Sequence, residues 1–248
     1  MRKPCFGGKK VKKVLIAFLM IFSWMAFAEN WVSLGEISFK CPENVDLDFR
    51  AASDNENYSS FSKQTKERGN NALTVRVLSF NEFVKYEKDD WHTIKNDKNY
   101  EAYKQSILKN NKWYGEGPAE TCIQNVYENK GMLFAVSYDF HSLWYVGSVG
   151  VYSFAVFTDN KVYLFTLHFT KTTGNPDDKI LKQLDKYVHR VYPGVKLGEM
   201  PGEQQDGWMF NEGINAYNLY NDIREKKTGV KEVDIFQQQF ETIINSID

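Results

Sequence analysis

The sequence lacks every short motif that would identify a common chemistry. It contains no H-E-x-x-H zinc motif, no G-x-S-x-G nucleophile motif, no phosphate-binding P-loop, no C-x-x-C spacing and no dinucleotide fingerprint. Its four histidines are far apart, and none has another histidine two or four residues away. We therefore predict no catalytic residue, no metal site and no cofactor.

Cysteine is scarce, with three in 248 residues. Cys5 precedes the apolar N-terminal segment, so Cys41 and Cys122 remain if that segment is removed. In an oxidising compartment, two remaining cysteines predict a Cys41–Cys122 disulfide. The alternative is two buried thiols that act as small apolar side chains. No histidine or basic cluster lies near either cysteine in the sequence, which argues against a catalytic thiol.

Long hydrophobic runs are also missing, apart from one at the N-terminus. Val14 to Phe27 is almost entirely apolar, yet it is shorter than the roughly 18 to 20 residues that cross a bilayer as a helix. Six basic residues precede this run, and Ala26-Phe27-Ala28 gives an A-x-A cleavage site. We therefore predict a signal peptide over residues 1–28, cleaved after Ala28, and an exported protein that is periplasmic or secreted. An uncleaved membrane anchor is the alternative.

After that cleavage, the chain has fewer basic than acidic residues. The remaining chain has 25 basic residues against 32 acidic ones, a net charge of −7. Nucleic acids and anionic membrane surfaces both attract clustered Lys and Arg. We therefore predict no nucleic-acid partner and no stable membrane insertion after cleavage.

Aromatic residues are abundant, at 15% of the chain, and many follow the alternation of β-strands. Met132 to Phe140 and Tyr163 to Phe169 alternate strictly, and 121–127 and 145–158 are predicted strands beside them. Asp159-Asn160 predicts a two-residue hairpin turn, because both residues tolerate positive φ. These four strands predict an antiparallel meander.

The rest of the chain predicts further strands, followed by helices. Trp31 to Pro42 predicts one opening strand, 45–49 a second, and Leu73, Val75 and Val77 a half-buried third. Apolar stripes predict two helices that begin after the capping residues Asn81 and Asn99. Further stripes predict helices over 180–191, 214–223 and 233–247. A long connection is predicted over 194–212. We predict a signal peptide followed by one α+β domain, 29–248, with a C-terminal helical extension. Its antiparallel sheet of about six or seven strands is covered by helices in an α/β/α-like sandwich.

Two aromatic pairs fall in predicted loops or at strand starts instead of in core positions. They are Trp113-Tyr114 and Trp144-Tyr145, and Trp208 is placed similarly. Amphipathic aromatics at the ends of a sheet are frequent anchors for glycans, peptides or proteins. They predict a non-enzymatic binding or accessory protein of a bacterial cell envelope, which contacts a protein or another envelope component. Alternatively, these rings simply cover the edges of the core.

Two other functions stay open. An acid and an imidazole, Asp139 and His141, lie at one predicted strand end, which would suit an exported hydrolase with a site assembled from scattered residues. A carrier that holds a small lipid between sheet and helices is the other. His168 shares a strand face with Thr166 and Thr170, so it points either to solvent or into a polar layer.

The order of elements resembles that of the PsbP/Mog1-like proteins. The residues that carry it are Trp31-x-x-x-Gly35-x-Ile37-x-Phe39-x-x-Pro42, the strand 73–80, Tyr163-Leu164-Phe165-Thr166 and Ile243-Ile244-Asn245-Ser246. The resemblance covers about 31–170 and 232–247, and implies an α/β/α sandwich and an accessory or binding role without a shared catalytic site. The segment 176–230 departs from it, which leaves open which helix closes the fold.

Overall fold

The structure is a computed structural model that describes most of the predicted strands and three long helices. The described residues are 30–50, 65, 67–83, 99–110, 123–139, 150–171, 178–191, 197–199, 208–210 and 221–248. The predicted signal peptide, 1–28, lies outside them, so its cleavage and the export of the chain stay predictions.

An open six-stranded sheet forms the centre of the α+β fold. The strands are β1 Asn30–Leu34, β2 Ile37–Cys41, β3 Val45–Arg50, β4 Asn71–Ser79, β5 Ile123–Asn129, β6 Met132–Asp139, β7 Gly150–Phe157, β8 Lys161–Phe169, β9 Leu197–Glu199 and β10 Trp208–Phe210. The long helices are α1 Tyr100–Asn110, α2 Lys179–Val191 and α3 Lys231–Asn245. The central sheet has the strand order β3-β4-β8-β7-β6-β5, while β1 pairs with β2 and β9 pairs with β10.

The sheet is mixed, which corrects the prediction of an antiparallel one. Strands β5 to β8 form the predicted antiparallel meander, and β4 pairs antiparallel with β8. Strand β3, however, runs parallel to β4, with Val45 opposite Asn71. A parallel pair needs a crossover of about a dozen residues or more. The segment 51–70 between the two strands provides that length, so the chain can run back to the start of the sheet and pair in parallel.

The predicted opening strand is in fact a hairpin. β1 and β2 pair with Leu34 opposite Ile37, and the two residues between them form the turn. Gly35 has a φ of 71°, which glycine adopts without a steric penalty. A glycine at the first position of a two-residue loop is typical of a tight hairpin turn, and this signal in the sequence was missed.

The turn of this hairpin is attached to the turn between β7 and β8. The Glu36 carboxylate accepts hydrogen bonds from Thr158 Oγ1 and, at 3.0 Å, from Asn160 Nδ2. The Glu36 backbone N–H donates to Tyr163 Oη at 3.2 Å. Tyr100 Oη donates to the carbonyl oxygen of Thr158 at 2.7 Å, which adds α1 to the same cluster.

The β7–β8 turn is at Asp159-Asn160, as predicted, with Phe157 opposite Val162 beside it. Its conformation differs from the prediction, because neither turn residue has a positive φ. The Thr158 backbone N–H donates to the Lys161 carbonyl oxygen at 3.0 Å and closes the turn.

One face of the sheet packs against α3 and α2. The apolar stripe predicted for the last helix is confirmed, since Val233, Phe236, Phe240, Ile243, Ile244 and Ile247 are all buried. The Phe240 ring lies 5.1 Å from that of Tyr152 and 5.6 Å from that of Phe154, measured between ring centroids. The stripe of α2 buries five apolar side chains, but Val191, predicted as its sixth, is 41% exposed at the helix end.

The opposite face of the sheet carries a second, smaller apolar cluster. Tyr103 and Ile107 of α1 and the neighbouring Phe83 pack near Phe157, whose ring centroid is 5.5 Å from that of Phe83. The predicted cap Asn99 is confirmed, since its Oδ1 accepts from the Glu101 backbone N–H at 2.9 Å.

The predicted cap Asn81 is wrong. Ser79 instead caps the helical residues that begin at Phe80. Its Oγ accepts from the Glu82 backbone N–H at 3.3 Å, and the Glu82 carboxylate accepts from the Ser79 N–H at 2.8 Å. This reciprocal pair is a capping box, which the Ser-x-x-Glu spacing already contained.

The segment predicted as a long connection contains the short hairpin partners β9 and β10, with Trp208 opposite Glu199. The helix predicted over 214–223 falls mostly outside the described residues, although 221–224 are helical and Ile223 is buried.

Candidate ligand site on one face of the sheet

The predicted binding aromatics are not among the residues that the structure describes. Trp113, Tyr114, Trp144 and Tyr145 all lie outside them, and so does His141. Whether these rings come together, and whether an acid and an imidazole meet near Asp139, therefore stays a prediction.

The predicted disulfide is not found. Cys41 is a free, buried thiol, and Cys122 lies outside the described residues. The Cys41 Sγ lies 3.8 Å from the Val45 carbonyl oxygen. Burial raises the pKa of this thiol to about 11. Cys41 therefore matches the alternative, an unreactive thiol that fills space at the end of β2.

The structure instead brings four hydroxyl side chains into one line across the sheet. The register places Thr74 of β4 opposite Thr166 of β8, Thr166 opposite Ser153 of β7, and Ser153 opposite Ser137 of β6. Paired residues on neighbouring strands have their side chains on the same face of the sheet, so these four lie side by side. We call them the hydroxyl row. The row continues to Asp48 of β3, which pairs with Thr74.

All four members of the hydroxyl row are buried, although apolar side chains occupy most such positions in proteins. Ser137 is 1% exposed and Ser153 is 3% exposed. Neither hydroxyl has a hydrogen-bond partner within the part of the chain that the structure describes. An unsatisfied buried polar group costs about 1–3 kcal/mol. Two adjacent ones call for an explanation, and a buried water or a bound polar ligand would each supply the missing hydrogen bonds.

Two arginines and a histidine lie beside the hydroxyl row. Arg50 and Arg76 are opposite each other on β3 and β4, and Arg76 follows Thr74 by two positions, on the same face. The Arg50 Nε donates to the Asp48 carboxylate at 2.8 Å. His168 follows Thr166 by two positions along β8 and is buried, so it does not point to solvent. Its partners on the neighbouring strands are Ala72 and Val151. Burial and the nearby charges of Arg50 and Arg76 lower the pKa of His168 to about 3.

The register line next to the hydroxyl row, on the side of α1, changes character across the sheet. On β6, β7 and β8 it contains Ala135, Ala155 and Leu164, which belong to the apolar cluster under that helix. On β4 and β3 the same line contains Arg76 and Arg50.

His168 does not suit the role of a general base. A general base works best when its pKa is near the working pH. With a pKa of about 3, His168 is a poor base for activating a serine hydroxyl near neutral pH. It stays neutral there, and a neutral imidazole can donate one hydrogen bond and accept another. The hydroxyls and the imidazole are thus suited to holding a polar group in place.

Within the described part of the chain, no three His, Cys, Asp or Glu side chains are grouped so that they could hold a metal ion. Among the helices of those same ranges, none is long and apolar enough to span a membrane.

Comparison with known proteins gave no match: no family model, no curated protein and no solved structure matches this chain. The resemblance to PsbP/Mog1-like proteins accordingly stays a prediction from the sequence.

Proposed function

We propose that this chain is an exported, non-enzymatic binding or accessory protein of a bacterial cell envelope, which holds a polar group of an envelope component against the hydroxyl row. The observation that carries this proposal is the pair of neighbouring buried hydroxyls, Ser137 and Ser153, for which the described residues supply no hydrogen-bond partner. A ligand that donates to or accepts from both hydroxyls would remove their desolvation cost.

The remaining parts of the proposal come from the sequence. The basic, apolar and A-x-A segments of residues 1–28 support export. The aromatic pairs Trp113-Tyr114 and Trp144-Tyr145 are proposed as a contact surface for a partner or for the exposed part of the ligand. A layered α/β/α arrangement, as the PsbP/Mog1-like resemblance implies, belongs to the same proposal.

A lipid between the sheet and α3 has less support. That interface is filled by ring contacts, such as Tyr152 with Phe236 at 4.8 Å and Phe169 with Phe236 at 5.3 Å between centroids. A lipid would have to displace these rings.

The test replaces both orphaned hydroxyls by Ser137→Ala and Ser153→Ala in one variant. Protein exported by its own host is weighed by native mass spectrometry, and again after denaturation. We expect extra mass on the parent that vanishes on denaturation, and much less of it on the double variant. The melting temperature of the variant should equal or exceed that of the parent without ligand, because two unsatisfied buried groups are gone.

The matched control is Ser33→Ala, at an exposed position of β1, which should retain the full extra mass. Equal extra mass on the parent and the double variant would contradict the proposal, as would a parent that is exported with no extra mass. A lower melting temperature in the double variant would show that the two hydroxyls stabilise the fold.

A further inference from the structure

We infer that the outer edge of β1 is a dimerisation surface, on which β1 of a second copy of this chain pairs antiparallel about Val32. This inference does not depend on the ligand proposed for the hydroxyl row.

The first argument is that β1 presents backbone groups on an open edge. Ser33 of β1 is opposite Ser38 of β2. Ser38 exchanges two backbone hydrogen bonds with Asp248, at 2.9 and 3.0 Å, so its N–H and C=O point away from β1. In an antiparallel ladder, both members of such a pair direct their backbone groups away from each other. The N–H and C=O of Ser33, and by alternation those of Trp31, therefore point out of the hairpin, where no strand in the described part of the chain pairs with them.

The second argument is that this edge lacks the features that keep free edges unpaired. Charged side chains or proline commonly protect an edge strand. The outer strands of the central sheet follow this rule, since β3 contains three charged residues and β5 contains Glu128. Strand β1 contains neither a charged residue nor a proline, and its Trp31 is 53% exposed. Tryptophan is enriched among the residues that contribute most to protein interfaces.

The third argument identifies the partner as a second copy, because β1 is complementary to itself. When two β1 strands pair antiparallel with Val32 opposite Val32 of the second copy, Trp31 of each strand lies opposite Ser33 of the other. These two residues have the outward backbone groups, so each Trp31–Ser33 pair exchanges two hydrogen bonds. The four bonds use every outward N–H and C=O of residues 31 and 33 in both strands, as a two-fold interface requires.

The pairing also brings no like charges together. The nearest cation to Trp31 on β2 is Lys40, whose Nζ lies 5.3 Å from the centroid of the Trp31 ring in the same chain. In the paired hairpins, the Lys40 residues of the two copies are three strand spacings apart, about 14 Å. Repulsion over that distance is largely screened at physiological salt. A single strand pair is nevertheless a small interface, so we expect a dissociation constant in the micromolar range.

The test is sedimentation velocity of the exported protein from about 1 μM to about 500 μM, where we expect a shift from monomer to dimer. Ser33→Pro removes one outward N–H from each strand without removing a β1–β2 hydrogen bond, because an edge strand tolerates proline where the N–H faces solvent. This variant should dimerise at least about tenfold more weakly than the parent. A dimer doubles the native mass, which distinguishes it from the smaller added mass of a ligand.

The matched control is Ser33→Ala, which changes the same side chain but keeps the N–H, and it should dimerise as the parent does. Circular dichroism and the melting temperature show whether Ser33→Pro is folded. If it is not, Trp31→Lys is the test, because it replaces the exposed ring by a charge on the edge strand, and it should also weaken dimerisation at least about tenfold.

A cross-link tests the register. The two Val32 residues form a pair without hydrogen bonds, with Cα atoms about 4.5 Å apart, which a disulfide can span. Oxidised Val32→Cys should therefore give a covalent dimer that the parent does not give. In Ser33→Cys the two thiols are on diagonal neighbours about 7–8 Å apart, so it should give far less.

Three results would overturn the inference. They are a parent that stays monomeric at every concentration, a folded Ser33→Pro with an affinity within about twofold of the parent, and cross-linking of Ser33→Cys as efficient as that of Val32→Cys. A monomeric parent that pairs through β1 with a strand of another protein would overturn it as well.

Discussion

Asn71 Nδ2 donates a 2.7 Å hydrogen bond to Gln239 Oε1, which joins β4 to α3 through two buried amides. The other atoms of both amides are bonded as well. Asn71 Oδ1 accepts from the Thr170 backbone N–H at 3.1 Å, and Gln239 Nε2 donates to the Asn44 carbonyl oxygen at 3.3 Å. A buried polar network of this kind fixes the position of a helix on a sheet, because a shifted helix would leave these groups unsatisfied.

The energetic coupling of this pair can be measured. We expect Asn71→Ala and Gln239→Ala each to lower the free energy of unfolding by about 1–3 kcal/mol, since each leaves a buried partner unsatisfied. The double variant should lose about 1 kcal/mol less than the sum. Urea unfolding gives all three values, and Gln238→Ala, at an exposed position of the same helix, is the control. Strictly additive losses would show that the two amides are not coupled.

The packing of α3 on the sheet gives a second prediction. Phe240 is buried against the rings of Tyr152 and Phe154. We expect Phe240→Ala to cost about 3–5 kcal/mol of unfolding free energy, measured by chemical denaturation. The matched control is Phe49→Ala, since Phe49 is 52% exposed on β3, and its cost should be within about 0.5 kcal/mol. An unchanged melting temperature in Phe240→Ala would contradict the packing described above.

Glu36 predicts a specific dependence of stability on pH. Its hydrogen bonds from Thr158 and Asn160 hold the pKa of the carboxyl below its ordinary value of 4.5. Their contribution to stability is therefore fully present above pH 4.5 and is lost as the pH falls through the lower pKa of the folded protein.

The measurement is the melting temperature of the parent and of Glu36→Gln from neutral pH to about pH 3. The difference between them should shrink as the pH falls. Glu128→Gln, at an exposed position of β5, should show no such convergence. Parallel curves for parent and Glu36→Gln would rule out a role of the carboxylate in holding the hairpin.

Local patterns predicted much of the fold. The meander β5–β8 and the buried stripe of α3 depend on residues close in sequence, and both are confirmed. Pairing between distant segments was not predictable in this way. Alternation along β4 suggested that Val77 is buried, but it is exposed while Leu78 is buried, because the sheet around β4 is covered on both faces only near Leu73 and Val75.

The hydroxyl row of the candidate site also depends on pairing between distant segments, so local sequence patterns did not predict it. Each member is an ordinary polar residue in an otherwise apolar strand, such as Ser153 between Tyr152 and Phe154. Such an interruption does not by itself tell whether the polar residue faces solvent or a buried layer. Only the register, which places Thr74 beside Thr166, shows that these interruptions lie in one line.

The position of β4 between β3 and β8 sets an order of events during synthesis. Strands β3 and β4 leave the ribosome early, but the antiparallel partner of β4 is residues 161–169, which emerge much later. The contiguous hairpins from β5 to β8 close short loops and form quickly, whereas the β4–β8 pairing must close a long one. Strand β4 thus acquires its antiparallel partner late, and until then it exposes an unpaired edge on which a chaperone or another chain can act.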